Sequence, residues 1–375
     1  MQKLINILGQ VPDPRQAWKV RHNLAEILLI CILAVTANAN SSYEIHTFAA
    51  IHEQWLRCFI HLENGIPGRL TFERVLRLLN PKHFNTVFIQ IMRVFQSASN
   101  GSIVAIDGKT YHNTRTGQGG AGMLYMVNAW CARNGMTLGY VETQEKSNEI
   151  TAIPELLRYL DIKGATVTID AIGCQHEIVK QIVIKNKADY AIALKMNQAT
   201  MYEEFSLYAQ HCLSQSGPGR LYEYHRTLEK GHGRIEKREY YMFHDLSWFA
   251  DLTKWKNLQA LLMVRSTRHI IGKEPTIETR YYITSLTTVK EAAVAVRTHW
   301  GIENSLHWVL DVVFKEDDWK TKNAISATNL AAIRRFTNNL LKAHPDPSTN
   351  PIKRYMCSLN LDFLQSVVFN PSLFS

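Results

Sequence analysis

Ser102-Ile103-Val104-Ala105-Ile106-Asp107-Gly108-Lys109 breaks the helical pattern that precedes it and opens a different architecture. Its apolar run, rich in β-formers, is too short for a helix and reads as a buried strand that delivers Asp107 at its C-terminal end. Ala165-Thr166-Val167-Thr168-Ile169-Asp170 repeats the arrangement, and 63 residues separate the two aspartates. Between them, Leu124 to Cys131 and Thr137 to Thr143 predict two further strands, joined by the hairpin signal Asn134-Gly135. Helical patterns over Ile150 to Leu160, Gln175 to Asn186 and Thr200 to Cys212 alternate with a strand over Tyr190 to Leu194. Three strands followed by strands alternating with helices predict a mixed α/β domain. Ligand sites gather at strand C-termini in such sheets, so Asp107 and Asp170 could converge on one hard cation. Two unrelated aspartates capping loops would leave the same pattern.

Upstream, residues 1 to about 96 predict an all-helical N-terminal domain. Leu24, Ile27, Leu28, Cys31, Ile32 and Val35 recur at helical spacing, a second amphipathic stretch runs from Tyr43 to Leu62, and Thr71 is placed to cap a third helix. Arg57, Arg69, Arg74 and Arg77 suit either a DNA-binding head or solvated positions on a helical bundle. Downstream, a β-rich insertion occupies about 214–286, followed by a long helical pattern from Val289 to about Asp318 and another from Asn323 to Lys342. The catalytic unit is expected over 97–345, with a looser tail over 346–375.

Composition limits the classes open to this chain. Among 375 residues, 46% are hydrophobic and 20% charged, the profile of a globular protein rather than a disordered or fibrous one. Lys and Arg number 42 against 33 Asp and Glu, a formal charge of +9, which suits a polyanionic partner but also a basic enzyme without one. Six scattered cysteines form no Cys-x-x-Cys pair, so reduced thiols are expected and a zinc ribbon is not. Leu24 to Ala37 carries Glu26 and is too short to span a bilayer, so no membrane partner and a cytoplasmic location are expected.

The third candidate element is Arg297-Thr298-His299-Trp300-Gly301-Ile302-Glu303-Asn304-Ser305-Leu306-His307-Trp308-Val309-Leu310-Asp311. Ile302, Leu306, Val309 and Val313 make an apolar stripe, and His299, Glu303, His307 and Asp311 recur every four residues on a neighbouring face. That polar row is either a self-paired surface or a face buried against another element, and Trp300 and Trp308 favour burial. Glu303 could then reach the site of the two aspartates, with Glu316 and Asp317 the next candidates for a third carboxylate. Two decoys fail. Gly108-Lys109-Thr110 has Ile103 where a phosphate-binding loop needs its first Gly, and no His-Glu-x-x-His metalloprotease pattern occurs.

With these pieces in order, the chain resembles the H-repeat-associated branch of the bacterial insertion-sequence DDE transposases. The resemblance rests on Val11-Pro12-Asp13-Pro14-Arg15, Trp18-Lys19-Val20-Arg21-His22 and Asn64-Gly65-Ile66-Pro67 near the N-terminus. It continues through Ala105-Ile106-Asp107-Gly108-Lys109, Lys146-Ser147-Asn148-Glu149-Ile150-Thr151-Ala152-Ile153-Pro154 and Thr168-Ile169-Asp170-Ala171-Ile172-Gly173-Cys174-Gln175. His232-Gly233-Arg234 with Glu236 and Arg238, and then His299-Trp300-Gly301-Ile302-Glu303-Asn304, complete it over nearly the whole chain.

The resemblance implies an RNase H-like mixed sheet in which a β-rich insertion separates the second Asp from the Glu; Glu303 stands 133 positions after Asp170 here. It implies Asp107, Asp170 and Glu303 as catalytic, metal-binding carboxylates holding two Mg²⁺ or Mn²⁺ ions. Metal-dependent cleavage and strand transfer at insertion-sequence ends would follow. The implied partner is double-stranded DNA, transposon ends and target, bound by a homo-oligomer at the nucleoid. A catalytically retired transposase-derived DNA-binding protein is the alternative. Related transposases often carry Arg four residues before the Glu and Lys seven after it, where this chain has His299 and Leu310. DNA contacts are therefore expected from Arg297, His299 and His307, and from two basic runs. The first contains Arg220, Arg226, Lys230, Arg234, Lys237 and Arg238; the second contains Lys322, Arg334, Arg335, Lys342, Lys353 and Arg354.

Overall fold

A computed structural model describes residues 2–96, 101–111, 125–143, 148–215, 221–231, 233–318 and 323–370. Leu124, Lys146, Ser147, Arg220, His232 and Lys322 lie outside the described residues.

The N-terminal third is helical: α1 (Gln2–Leu8), α2 (Leu24–Thr36), α3 (Ser42–Ile51), α4 (Glu53–Leu56), α5 (Arg69–Leu78) and α6 (Pro81–Gln96). The Asn23 side chain accepts from the backbone N–H groups of Ala25 and Glu26, satisfying two of the free donors that start α2. Thr71 does not cap α5, which begins two residues earlier after Gly68. Arg57 and Arg69 are engaged with Glu53 and Glu73 on their own helices.

Strand β1 (Ile103–Thr110) then starts a nine-stranded mixed sheet with β2 (Tyr125–Cys131) and β3 (Met136–Thr143). After α7 (Glu149–Tyr159), β4 (Thr166–Ile169) pairs parallel with β1, and after α8 (His176–Lys180), β5 (Asp189–Leu194) pairs parallel with β4. Helix α9 (Ala199–Ser214) leads to β6 (Glu223–Gly231), β7 (Arg234–Phe243), β8 (Ala260–Ile270) and β9 (Thr276–Thr284). The sheet order is β3-β2-β1-β4-β5-β9-β8-β7-β6. The β-rich segment is thus no separate unit: β9 pairs antiparallel with β5 and continues the same sheet.

Alternation along the strands divides the interior. Val104 and Ile106 of β1 face a core shared with α7, α8 and α9. Ala105, on the opposite face, joins a core built from α2, α5, α6, the 302–314 segment and α11 (Ala324–Ala343). Helix α10 (Val289–His299) covers that face over β5 and β7–β9. The segment after Pro345 is not loose. It forms α12 (Asn350–Leu359) and α13 (Leu361–Val368), whose Cys357, Leu364 and Val367 enter the core that also holds α1 and α2. The sequence reads loosely there because these helices are short and interrupted at Asn360, and their stability comes from packing rather than propensity.

Four of the expected DNA-contacting residues sit in this interior. Arg335 on α11 is 0% exposed; its guanidinium donates to Asn128 Oδ1 on β2 at 2.7 Å and to Glu316 Oε1 at 3.0 Å. Arg334 is buried beside it. Lys353 and Arg354 are also buried, Lys353 donating to the carbonyls of Leu341 and His344 and Arg354 to those of Val35 and Val313. All four are removed from the phosphate-contact set: each occupies an internal face of its helix, which a count of charges along the chain does not reveal. The six cysteines are free, as expected. Among the described residues no helix is long and apolar enough to cross a membrane.

Glu316 lies between Arg335 and Lys109 Nζ, 3.7 Å away, with no exposed side-chain surface. Replacing Arg335 by Met removes the nearer cation and leaves a buried carboxylate underpaired. The expected cost is about 3–5 kcal/mol in denaturant unfolding. Arg335→Met with Glu316→Gln should recover part of the loss, and an uncoupled pair of losses would contradict this account.

Candidate active site

Asp107 lies within β1, on the strand face turned toward the 302–311 segment, and Asp170 is the first residue after β4. Since β1 and β4 are parallel neighbours in register from Ile103↔Thr166 to Ile106↔Ile169, both aspartates emerge at one end of the sheet. The Asp170 carboxylate is fixed by the backbone N–H of Ile172, which donates to Oδ1 at 3.1 Å. Glu303 starts a turn of π-helix that follows α10 and lines the same cleft, of about 540 Å³, as Asp107 and Asp170. Single π-turns often sit at functional sites, because the inserted residue re-aims the side chains around it.

The polar row resolves in favour of burial against the sheet. His299 Nδ1 is 3.0 Å from Thr168 Oγ1, and His307 Nδ1 is 3.7 Å from Asp107 Oδ2, too long for a hydrogen bond. Asp311 accepts Lys109 Nζ at 2.6 Å, while Glu303 remains exposed at the cleft. Ile302, Leu306 and Leu310 point the other way into the core. Glu316 and Asp317, the alternative third carboxylates, are instead neighbours of Lys109, and Glu316 is neutralised by Arg335 as well.

Among the motif glycines that leave no room for a Cβ are Gly108 and Gly301. A Cβ at Gly108 would lie 2.3 Å from both Glu149 Oε1 and the Tyr125 hydroxyl; one at Gly301 would lie 2.8 Å from the Trp130 ring. The first of these close approaches brings in a residue that the sequence pattern did not mark as part of the site. Glu149, buried at the start of α7, accepts a hydrogen bond from the Tyr125 hydroxyl and adds a third negative charge to the field at Asp107. Its signal was present as the single acid of Asn148-Glu149-Ile150, without a strand end to mark it.

Negative charge is concentrated at the cleft. Burial, then the charge of Asp170, with smaller contributions from Glu303 and Glu149, pushes the Asp107 carboxyl up to about 7. Burial pushes His299 down to about 4 and His307 down to about 3, the latter helped by the charges of Arg335 and Lys109. Both imidazoles are neutral near pH 7, so neither replaces a phosphate-binding cation. The donor set is oxygen-rich and anionic, the chemistry that hard divalent cations select, and it fits such an ion. The carboxylates converge without closing: among the described residues no three acids, histidines or cysteines form a compact ligand cluster. Arg297 is half-exposed but already paired with Glu229 at 2.9 Å, and Arg234 and Arg238 are paired with Glu236.

Comparisons with known proteins show the family. The family described as Transposase DDE domain matches residues 98–340, and the one described as DDE_Tnp_1-associated matches residues 5–92. The "H repeat-associated putative transposase YhhI" of Escherichia coli strain K12 is 38% identical over 346 residues, covering 91% of this chain and 90% of that protein. The "Putative transposase YncI" of Escherichia coli O157:H7 is 36% identical over 378 residues, covering 98% of this chain and 95% of that protein. A piggyBac transposase synaptic complex with hairpin DNA, solved by cryo-EM, aligns with 98% of this chain and 79% of its own at 11% identity and a TM-score of 0.41, too remote to bear on the site. The chain belongs to the DDE transposase family.

A carboxyl raised from 3.8 to about 7 binds its proton more tightly folded than unfolded, so it lowers stability as pH rises through that window and the deficit is complete above it. In excess chelator, Asp107→Asn should be more stable than wild type above pH 7, by roughly 1–3 kcal/mol, and the advantage should vanish near pH 4. Denaturant melts at the two pH values measure it; a gap independent of pH would contradict the assignment.

Proposed function

We propose that this chain cleaves and joins DNA strands at insertion-sequence ends, with Asp107, Asp170 and Glu303 as its metal-binding carboxylates. The observation that carries the reading is the convergence of these three side chains on one cleft where Asp107 is raised to about 7. Selection for stability alone would not gather unpaired carboxylates there, since each raises the cost of ionising the next. The strand order β3-β2-β1-β4-β5, with β1, β4 and β5 parallel and β2 and β3 antiparallel, supports an RNase H-like core extended by β6–β9. We place the catalytic unit over 97–345 with its insertion at 214–286. The helices of 1–96 form a candidate DNA-binding head, which shares its core with the described part, 346–370, of the C-terminal segment.

Two Mg²⁺ or Mn²⁺ ions bound here would supply Lewis-acid stabilisation of an in-line phosphoryl transfer, to water in cleavage and to a DNA 3′-OH in joining. The chain's own groups prepare that step. Asp107 and Asp170 are held by adjacent parallel strands, so their spacing is set by the hydrogen-bond ladder rather than by a loop. Glu303 approaches from the helical side and is the carboxylate free to adjust. His299 and His307, neutral and partly buried, fill the wall between helix and sheet without adding a charge that would repel a cation. The Lys109 ammonium, two residues beyond Asp107, is held away by Asp311, Glu316 and Asp317.

Glu303→Gln keeps shape and helix propensity while removing the charge, so folding should change little. Cleavage of a transposon-end duplex and strand transfer should fall together by about a hundredfold or more, as several kcal/mol of metal-borne stabilisation is lost. A thermal melt on the same preparations separates misfolding from loss of chemistry. Substantial cleavage by a well-folded Glu303→Gln would remove Glu303 from the metal site.

A further inference from the structure

The long strands β6–β9 run past the helices that cover their roots, and side-chain alternation sorts their basic residues onto two faces. On the face toward α10 the guanidinium groups are neutralised from within. Glu236 accepts from Arg234 at 2.8 Å, Arg268 at 3.1 Å and Arg238, and Glu229 bridges Arg238 at 3.0 Å and Arg297 at 2.9 Å. The hydrogen bond from Arg297 is the main cause that holds the Glu229 carboxyl down at about 2.

The other face is different. Register places Arg226, Glu239 and Arg265 in one row, Leu228, Lys237, Thr267 and Ile277 in the next, and Lys230, Ile235 and His269 beyond. Four Arg and Lys side chains therefore meet one acid, and Glu239 already holds Lys237 at 2.9 Å and the Tyr224 hydroxyl at 3.1 Å. Arg226 and Lys230 are exposed. Between the charges, Leu228 is 61% and Ile277 68% exposed, an unusual place for large aliphatic side chains unless something covers them.

We propose that this outward face of β6–β9 is a DNA-docking surface separate from the carboxylate cleft, holding the phosphate backbone of a duplex without reading its sequence. It rests on the reading of DNA as the substrate. Charge selects the occupant: a second copy of the same face would bring like charges together, whereas a phosphate backbone complements Arg226, Lys230, Lys237 and Arg265. Leu228 and Ile277 then meet the apolar faces of the deoxyriboses. The inward arginines are structural, and the surplus charge of the 220–238 run works on the outward side alone.

The test is binding of a short fluorescent duplex in excess chelator across a salt series, with a thermal melt for each variant. Arg226→Gln/Lys230→Gln/Arg265→Gln should weaken binding at least tenfold at low salt, and the log–log salt slope should become shallower by about 2–3, since each phosphate that a cation neutralises adds about 0.9. A scrambled duplex should show the same weakening. Lys230→Gln alone, at an exposed position, should shift the slope by about one and covers the case in which the triple variant does not fold. Arg234→Gln should leave the slope unchanged. Wild-type affinity and slope in the outward variants, or a slope that falls with Arg234→Gln instead, would overturn the surface while metal-dependent cleavage by the wild type left the substrate reading intact. A wild type that binds no duplex would overturn both.

Discussion

The arrangement of the site depends on one buried carboxylate. Glu316 follows the Glu303 segment, has no exposed side-chain surface, and is charged because Arg335 and Lys109 lie against it. Burial alone would push its carboxyl up; those two cations, Arg335 foremost, hold it below its ordinary value. Lys109 sits two residues past Asp107 on β1, while Arg335 belongs to α11 and also donates to Asn128 of β2. One ionic cluster therefore fastens the helical segment that carries Glu303 to the strand that carries Asp107. Such clusters are weak sources of net stability, because desolvation offsets most of the attraction. What they supply is geometry, since a half-formed cluster costs far more than either a complete one or none.

The same cluster explains why Asp107 is left without a cation of its own. Lys109 shares its face of β1 and would lower the Asp107 carboxyl if its ammonium were free. It is 2.6 Å from Asp311 and within 4 Å of Glu316 and Asp317, so its charge is engaged by three acids on the far side. Burial foremost, then Asp170, Glu303 and Glu149, disfavour the ionised form of Asp107, and together they outweigh the hydrogen bond from the Gly108 backbone that favours it. A positive cluster thus lies on one side of Asp107 and an acidic cleft on the other.

Much of this was legible in the sequence because the decisive signals were local. Strand runs leading into Asp107 and Asp170, the Asn134-Gly135 hairpin and the period-four polar row each report on a few consecutive residues. Strands β2 to β5 lie within a residue or two of where those patterns put them, whereas β1 does not end at Asp107 but runs through it to Thr110, because its pairing with β2 continues there. What failed was long-range. That α12 and α13 close the core over α2 depends on contacts some three hundred residues apart, such as Arg354 with the Val35 carbonyl. The π-turns at Glu303–His307 and Val309–Val313 leave the residue types unchanged while altering their bearing, so the expected continuous helix over 289–318 is interrupted. Glu149 reaches the site through the missing Cβ of Gly108, a fact about packing rather than pattern.

Charge was the least reliable guide, and the reason is physical. A guanidinium with five donors can be buried wherever carbonyls or carboxylates surround it, so an arginine in a basic run is as able to be a structural strut as a phosphate contact. Arg354 makes the point: buried over the Phe314 ring and bound to the Val35 and Val313 carbonyls, it caps the end of α2, where the helix dipole favours a cation. Burial is steep enough to hold it down at about 9, yet it keeps its proton near pH 7. Lys109, Arg334, Arg335, Lys353 and Arg354 therefore count toward the formal +9 without contributing side-chain charge at the surface. The field a polyanion meets is set by the exposed cations that lack an acid neighbour, and in β6–β9 the two-residue period of the strand decides which those are.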